Sequence, residues 1–238
     1  MAGHSKWANI KHKKAKEDAK KGKVFTRLIR EITVAAREGG GDPTGNAKLR
    51  LLIDKARVAN MPQENIIRAV KRGTGELAGV NYESVRYEGY APFGVAVVIE
   101  VLTDNKNRTV SDLRHLFLKF GGKLAEIGAV GWIFERKGVI LLKAPNYSED
   151  EVLEKLLDCN IEDVIVSDEL FSIYTTTDDL EPVKEVIEKK GFPVESAEIG
   201  WVAKDSISLG EEEEKKVYKL LEAIEDLDDV KDVYANLK

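Results

Sequence analysis

The chain has 238 residues, 43% of them hydrophobic and 33% charged, with a formal net charge of −5. This is enough apolar material for packed cores, which excludes global disorder, and one to three domains fit the length. No apolar run approaches the roughly 18–20 residues of a membrane span, no apolar h-region follows the basic start, and the single Cys159 excludes an internal disulfide, so the expected location is the cytoplasm, with no membrane partner.

The net charge hides a segregation. Residues 1–75 carry 18 Lys and Arg against seven Asp and Glu, whereas 76–238 carry 19 against 35. A basic segment joined to an acidic remainder points to a phosphate-bearing partner for the basic part. The abundance of Lys and Glu, with Gln63 the only glutamine, is a thermophile's profile and says nothing about function.

In chain order, residues 1–23 read as a loose arm with Lys6, Lys11, Lys13, Lys14, Lys16, Lys20, Lys21 and Lys23, and with Trp7 and His12 among them. Three helices are expected next. The first is marked by Val24, Phe25, Leu28, Ile29, Ile32, Ala35 and Ala36 and ended by Gly39-Gly40-Gly41-Asp42-Pro43. The second runs from about Asn46 to Ala59, and the third from near Pro62 to Gly73. From Tyr82 the pattern becomes mixed. Val95–Leu102 reads as a buried strand, Thr109–Phe120 as a helix, and Val130–Glu135 and Val139–Lys143 as two strands flanking Lys137-Gly138. A helix (149–157), two strands (163–166 and 170–175), a helix (180–190), a strand (195–202), a helix (211–224) and a last strand (230–234) complete the chain.

Segment 138–203 thus spells β-α-β-β-α-β, the split unit of ferredoxin-like domains. Its flanks are incomplete alone and complementary together. The expected class is α+β: an N-terminal three-helix bundle followed by two ferredoxin-like α/β sandwich domains, the third inserted in the second. The boundaries are 1–76, 77–137 plus 204–238, and 138–203, with two sequential domains split near Gly138 as the alternative. The phrases Gly131-Trp132-Ile133-Phe134 and Gly200-Trp201-Val202-Ala203 mark the expected exit and return strands.

The opening Met-Ala-Gly-His-Ser-Lys-Trp-Ala-Asn-Ile-Lys-His-Lys-Lys resembles the start of the YebC/PmpR family. The same holds for Phe25 to Ile32, Asn60-Met61-Pro62, Thr103-Asp104-Asn105-Lys106-Asn107-Arg108-Thr109, Gly121-Gly122-Lys123-Leu124, Trp132 with Phe134, and Lys137-Gly138. Lys123 departs from a common Asn, and Ala129 from a common Ser. The resemblance implies three domains, a cytoplasmic bacterial protein or mitochondrial relative, and no known catalytic activity. Members are labelled probable transcriptional regulators that bind DNA. Others resemble ribosome-associated translation factors, and the mitochondrial relative is a translational activator.

Each arm lysine can neutralise a phosphate and release counterions, and Trp7 with His12 could stack on an unpaired base. Arg27, Arg30 and Arg37 are expected to extend this basic face. Lys71 and Arg72 suit the C-terminal dipole of the third helix, whose Gln63, Asn65 and Arg68 give a weak recognition-helix signal. Arg108 is a candidate anion contact at a helix start, weighed against a start capped by Asp104 or Asn107. No metal or cofactor is expected. Ala2-Gly3-His4 would offer only an adventitious Cu(II) or Ni(II) site once Met1 is removed. Histidines 4, 12 and 115 lack ligand spacing, Cys159 reads as a core thiol, and no nucleophile–base pair is visible.

The leading reading is a non-enzymatic, nucleic-acid-binding regulator of gene expression, a transcriptional regulator acting through DNA. The alternative is a ribosome-associated translation factor that binds ribosomal RNA or tRNA. A protein-interaction adaptor is the second alternative, its acidic domains docking a basic partner and its arm an acidic one; the ribosome or other proteins are candidate partners of the acidic domains. Those domains are expected to face protein or solvent.

Overall fold

The computed structural model describes residues 21–143, 147–167 and 170–238. Helix α1 (Lys21–Gly39) crosses α2 (Ala47–Val58) and α3 (Gln63–Gly73). Leu28, Ile32, Ala35 and Ala36 fall on one side of α1 because they recur at three- and four-residue spacing. They pack against Leu49, Leu52, Ile53 and Ala56 of α2 and Ile66 and Ala69 of α3. A fully buried aliphatic side chain of this kind contributes about 1.5–3 kcal/mol, so this small core carries most of the bundle's stability.

Asn46 fixes the turn between α1 and α2. Its side chain accepts from Leu49 N at 3.0 Å and donates to the carbonyls of Ala35 and Gly40, each at 2.9 Å. A Cβ at Gly39 would stand 2.6 Å from this amide, so the glycine is needed for the close approach. The end of α3 passes as near to α1: a Cβ at Gly73 would lie 2.4 Å from the Thr33 carbonyl.

The middle unit begins with β1 (Glu83–Tyr90), β2 (Ala96–Thr103), α4 (Lys106–Lys119) and β3 (Lys123–Ala125). Much later α7 (Glu211–Glu225) and β8 (Val230–Ala235) complete it. The sheet order is β3-β1-β2-β8, with every neighbouring pair antiparallel. One face of β2, with Val97, Ile99 and Val101, packs under Leu113 and Phe117 of α4 and Val217, Leu220, Leu221 and Ile224 of α7. Its other face, with Ala96 and Val98, is also buried, which explains the uninterrupted β-branched run.

The inserted unit contains β4 (Phe134–Lys143), α5 (Glu149–Leu156), β5 (Asp163–Ser167), β6 (Leu170–Thr175), α6 (Leu180–Lys189) and β7 (Val194–Ala203). Its sheet order, β5-β6-β4-β7, is the ferredoxin-like one, and its helices cover Ile140, Leu142, Phe171 and Ile173. The middle sandwich has the same two layers but takes its strands in a different chain order. Phe134 is paired with Ala203, so the chain leaves and returns on adjacent strands, in line with the paired Gly-Trp phrases.

Three expectations about elements need correction. The two strands expected around Lys137-Gly138 are one, β4. Gly138 pairs with Thr175 and Ile199 inside the strand, and a Cβ there would lie 2.3 Å from Thr175 Oγ1. The glycine marks a close approach and no turn. Residues 131–133, expected to begin the first of those strands, form a 3-10 turn. Helix α4 starts at Lys106, three residues before the expected Thr109, because Asn105 caps it. The short β3 was not expected at all. Cys159 lies half-buried just beyond α5, at the edge of the inserted core.

Candidate nucleic-acid interface

Of the residues expected to bind nucleic acid, Lys6, Trp7, Lys11, His12, Lys13, Lys14, Lys16 and Lys20 lie outside the described residues, as does His4 of the Cu(II) sequence. Lys21 is placed only as the first residue of α1. The others can be located, and they face the middle unit.

Lys23, Arg27, Arg30 and Arg37 share one face of α1 because they are spaced by three, four and seven residues. That face meets the middle unit. Lys23 donates to the Glu225 carbonyl at 2.7 Å and to Asp226 at 3.0 Å. Arg27 donates to Glu31 and to Asp232, both at 2.9 Å. Arg30 donates to Asp229 at 2.8 Å and to the Asp228 carbonyl at 2.5 Å, and stacks over the Tyr82 ring. Arg37 donates to Asn81 and to the Tyr82 carbonyl. Lys23, Arg27 and Arg30 are therefore engaged by the acidic end of the middle unit. Charge counting along one segment could not show this, because the partners lie about two hundred residues away.

Arg108 is engaged in the same way. It donates to Asp104 at 2.7 Å and to both oxygens of Asp229 at 3.0 and 2.8 Å, so its charge is already balanced. The cap of α4 is Asn105, accepting from Arg108 N at 3.1 Å, in place of Asp104 or Asn107. Thr103 and Thr109 also donate to Asp229, at 3.1 and 2.7 Å. The stretch Thr103–Thr109 thus closes on one buried carboxylate that α1 also reaches. Burial alone would push the Asp229 carboxyl up. The hydrogen bonds from Arg108, Thr109 and Thr103, with the charge of Arg30, outweigh it and hold the group below the ordinary Asp range.

A second carboxylate marks the boundary with the inserted unit. Glu100 on β2 accepts from Arg136 of β4 at 3.2 Å, Trp201 Nε1 of β7 at 3.0 Å and Lys231 of β8 at 3.2 Å. Arg86 and Arg136 both stack on the Trp201 ring, at 5.0 and 5.3 Å. Here Phe134, Ala203, Tyr234, Val98 and Val130 also make an apolar cluster.

Arg68, Lys71 and Arg72 on α3 remain exposed, with no carboxylate partner among the described residues. They share a helical face at spacings of three and four. Their spacing is visible in the sequence, but Lys71 and Arg72 suit the helix dipole equally well, so the pattern alone does not single out a patch. Among the described residues no group of three or more His, Cys, Asp and Glu could hold a metal ion, and no helix is long and apolar enough to cross a membrane.

Two family models cover nearly the whole chain: the TACO1/YebC protein N-terminal domain over residues 5–76, and the TACO1/YebC second and third domain over residues 82–237. A probable transcriptional regulatory protein of Persephonella marina is 55% identical over 240 residues, covering 100% of this chain and 96% of that one. One of the same name from Thermotoga maritima is 52% identical over 239 residues, covering 100% and 94%. The crystal structure of a conserved hypothetical protein from Aquifex aeolicus superposes with a TM-score of 0.84 at 50% identity, covering 93% of this chain and 91% of that one. By sequence along its full length and by fold, the chain belongs to the TACO1/YebC family.

Proposed function

We propose that this chain is a non-enzymatic, cytoplasmic regulator of gene expression that binds nucleic acid through its basic helical unit. The observation that carries the reading is the segregation of charge, 18 basic against seven acidic residues in 1–75. The arm lysines Lys6 to Lys21 and the exposed Arg68, Lys71 and Arg72 supply the phosphate contacts. Units 77–137 plus 204–238 and 138–203 set geometry and recruit proteins. The names of the relatives favour transcription, and DNA is the target that reading requires. A second reading, ribosomal RNA or tRNA during translation, is favoured by the chemistry of the arm: lysines bind backbones and read no base edges. A mechanism follows for either target. Counterion release drives association, while specificity comes from nucleic-acid shape or from proteins recruited by the acidic units.

Sedimentation of the tagged chain with ribosomes from lysate, with and without nuclease, alongside retention on DNA fragments, tests this. The charge reversal Lys11→Glu, Lys13→Glu, Lys14→Glu should abolish whichever association the wild type shows. Association unaffected by the reversal and by nuclease would contradict the proposal and favour a protein adaptor.

A further inference from the structure

The cationic stripe of α1 meets its carboxylates in a graded way. The Lys23–Asp226 pair is open, with side chains 32% and 81% exposed. The Arg27–Asp232 pair is intermediate at 36% and 7%, and Arg30–Asp229 is closed at 13% and 8%. The apolar core of the helical unit shares no residue with that of the middle unit. Val34, on the same face of α1, is buried but belongs to neither. The two units are thus joined chiefly by long polar side chains, and an interface of this kind leaves relative motion as the default.

A guanidinium takes a carboxylate or a phosphate through the same planar fork, and an ammonium takes either as a point charge. We propose that Asp226, Asp229 and Asp232 form an intramolecular stand-in for a nucleic-acid backbone, so that the docked face of α1 is a second, masked phosphate-binding surface. A strand that lands on the exposed Arg68, Lys71 and Arg72 then competes for Lys23 first and Arg27 next. Once the closed Arg30–Asp229 pair opens in its turn, the helical unit is released from the middle unit. From Lys23 to Arg30 the stripe covers about 10 Å of helix, room for two or three successive phosphates. An acidic protein would need carboxylates at matching places, whereas a nucleic-acid backbone supplies them at every nucleotide. The inference rests on the nucleic-acid reading above.

The test uses the full chain with Cys159→Ser and nitroxides on Val58→Cys and Leu118→Cys, at positions 84% and 78% exposed in the helical and middle units. Electron–electron distance measurements are made with and without a saturating single-stranded oligoribonucleotide. In parallel, RNA affinity is measured for Asp226→Asn/Asp232→Asn, which leaves the Asp229 anchor intact. The charge-matched control is Glu211→Gln/Glu212→Gln, about 22 Å away along α7. The expected results are a longer, broader distance with RNA, and affinity raised roughly fivefold by the first variant and not by the control. An unchanged distance at saturation, or equal gains in both variants, would overturn the masked surface while leaving nucleic-acid binding intact. No binding of the oligoribonucleotide or of duplex DNA by any protein tested would overturn the nucleic-acid reading itself, and the proposed competitor with it.

Discussion

The two junctions of the molecule are built from opposite materials. The middle and inserted units are joined by two adjacent strands, β4 and β7, and by an apolar cluster containing Phe134, Tyr234 and Ala203. The helical and middle units meet through Lys23, Arg27, Arg30 and Arg37, with their partners on the loop and strand 225–232 and at 81–82. The first junction also carries the Glu100 contacts to Arg136, Trp201 and Lys231, but its apolar cluster is little affected by salt, whereas the exposed Lys23–Asp226 pair of the second is screened and only its Arg30–Asp229 pair is closed. The chain therefore holds its two acidic sandwiches as one body and keeps its basic module on an electrostatic attachment.

The contrast can be broken at either junction. The largest effect is expected from Phe134→Ala, which empties the apolar junction and should cost about 3–5 kcal/mol. Denaturant unfolding should show it as a lower midpoint for both sandwiches together. Asp229→Ala removes the acceptor shared by Arg30, Arg108, Thr103 and Thr109, and should cost about 3 kcal/mol because it strands the buried Arg30 and two buried hydroxyls, while Arg108 keeps Asp104. Hydrogen exchange should then rise in α1 and at the start of α4, while β4–β7 stay protected.

Acid should act in the same place. The Asp229 pKa lies below its unfolded value, so its stabilisation is fully present above about pH 4 and lost as pH falls through the lower folded value. Glu88 behaves alike. Burial pushes it up, but the backbone N–H groups of Val130, Gly128 and Gly131 outweigh this and hold it down. A fluorescence-monitored pH titration should show a transition below pH 4, shifted toward neutral pH in Asp229→Asn. A smaller effect, about 1 kcal/mol, is expected from Asn105→Ala, which uncaps α4. The smallest belongs to Lys23→Ala, below about 1 kcal/mol in thermal unfolding because Asp226 is so exposed.

Much of the fold was legible in the sequence because it rests on local periodicity. The apolar stripe Leu28–Ala36, the buried run of β2 and the β-α-β-β-α-β pattern each report one element at a time. Gly138 misled because a glycine needed for close packing looks like one needed for a turn. The site was less legible. A cation's availability depends on what faces it in space, and the partners of Arg27 and Arg30 lie 205 and 199 residues further along. The motif Thr103–Thr109 was visible as a motif. Its role as the receiver of Asp229 needed the return of β8 to the middle sheet.

Equilibrium binding of the full chain to single-stranded RNA and to duplex DNA, across a range of salt concentrations, tests most directly whether the basic module is the nucleic-acid-binding part. The wild type should bind with log K falling against log salt at a slope of about −5 on duplex DNA, corresponding to about six phosphates. Lys11→Glu/Lys13→Glu/Lys14→Glu should abolish binding, and Arg68→Glu/Lys71→Glu/Arg72→Glu should flatten the slope. Salt-independent affinity, or affinity unchanged by both reversals, would contradict the assignment.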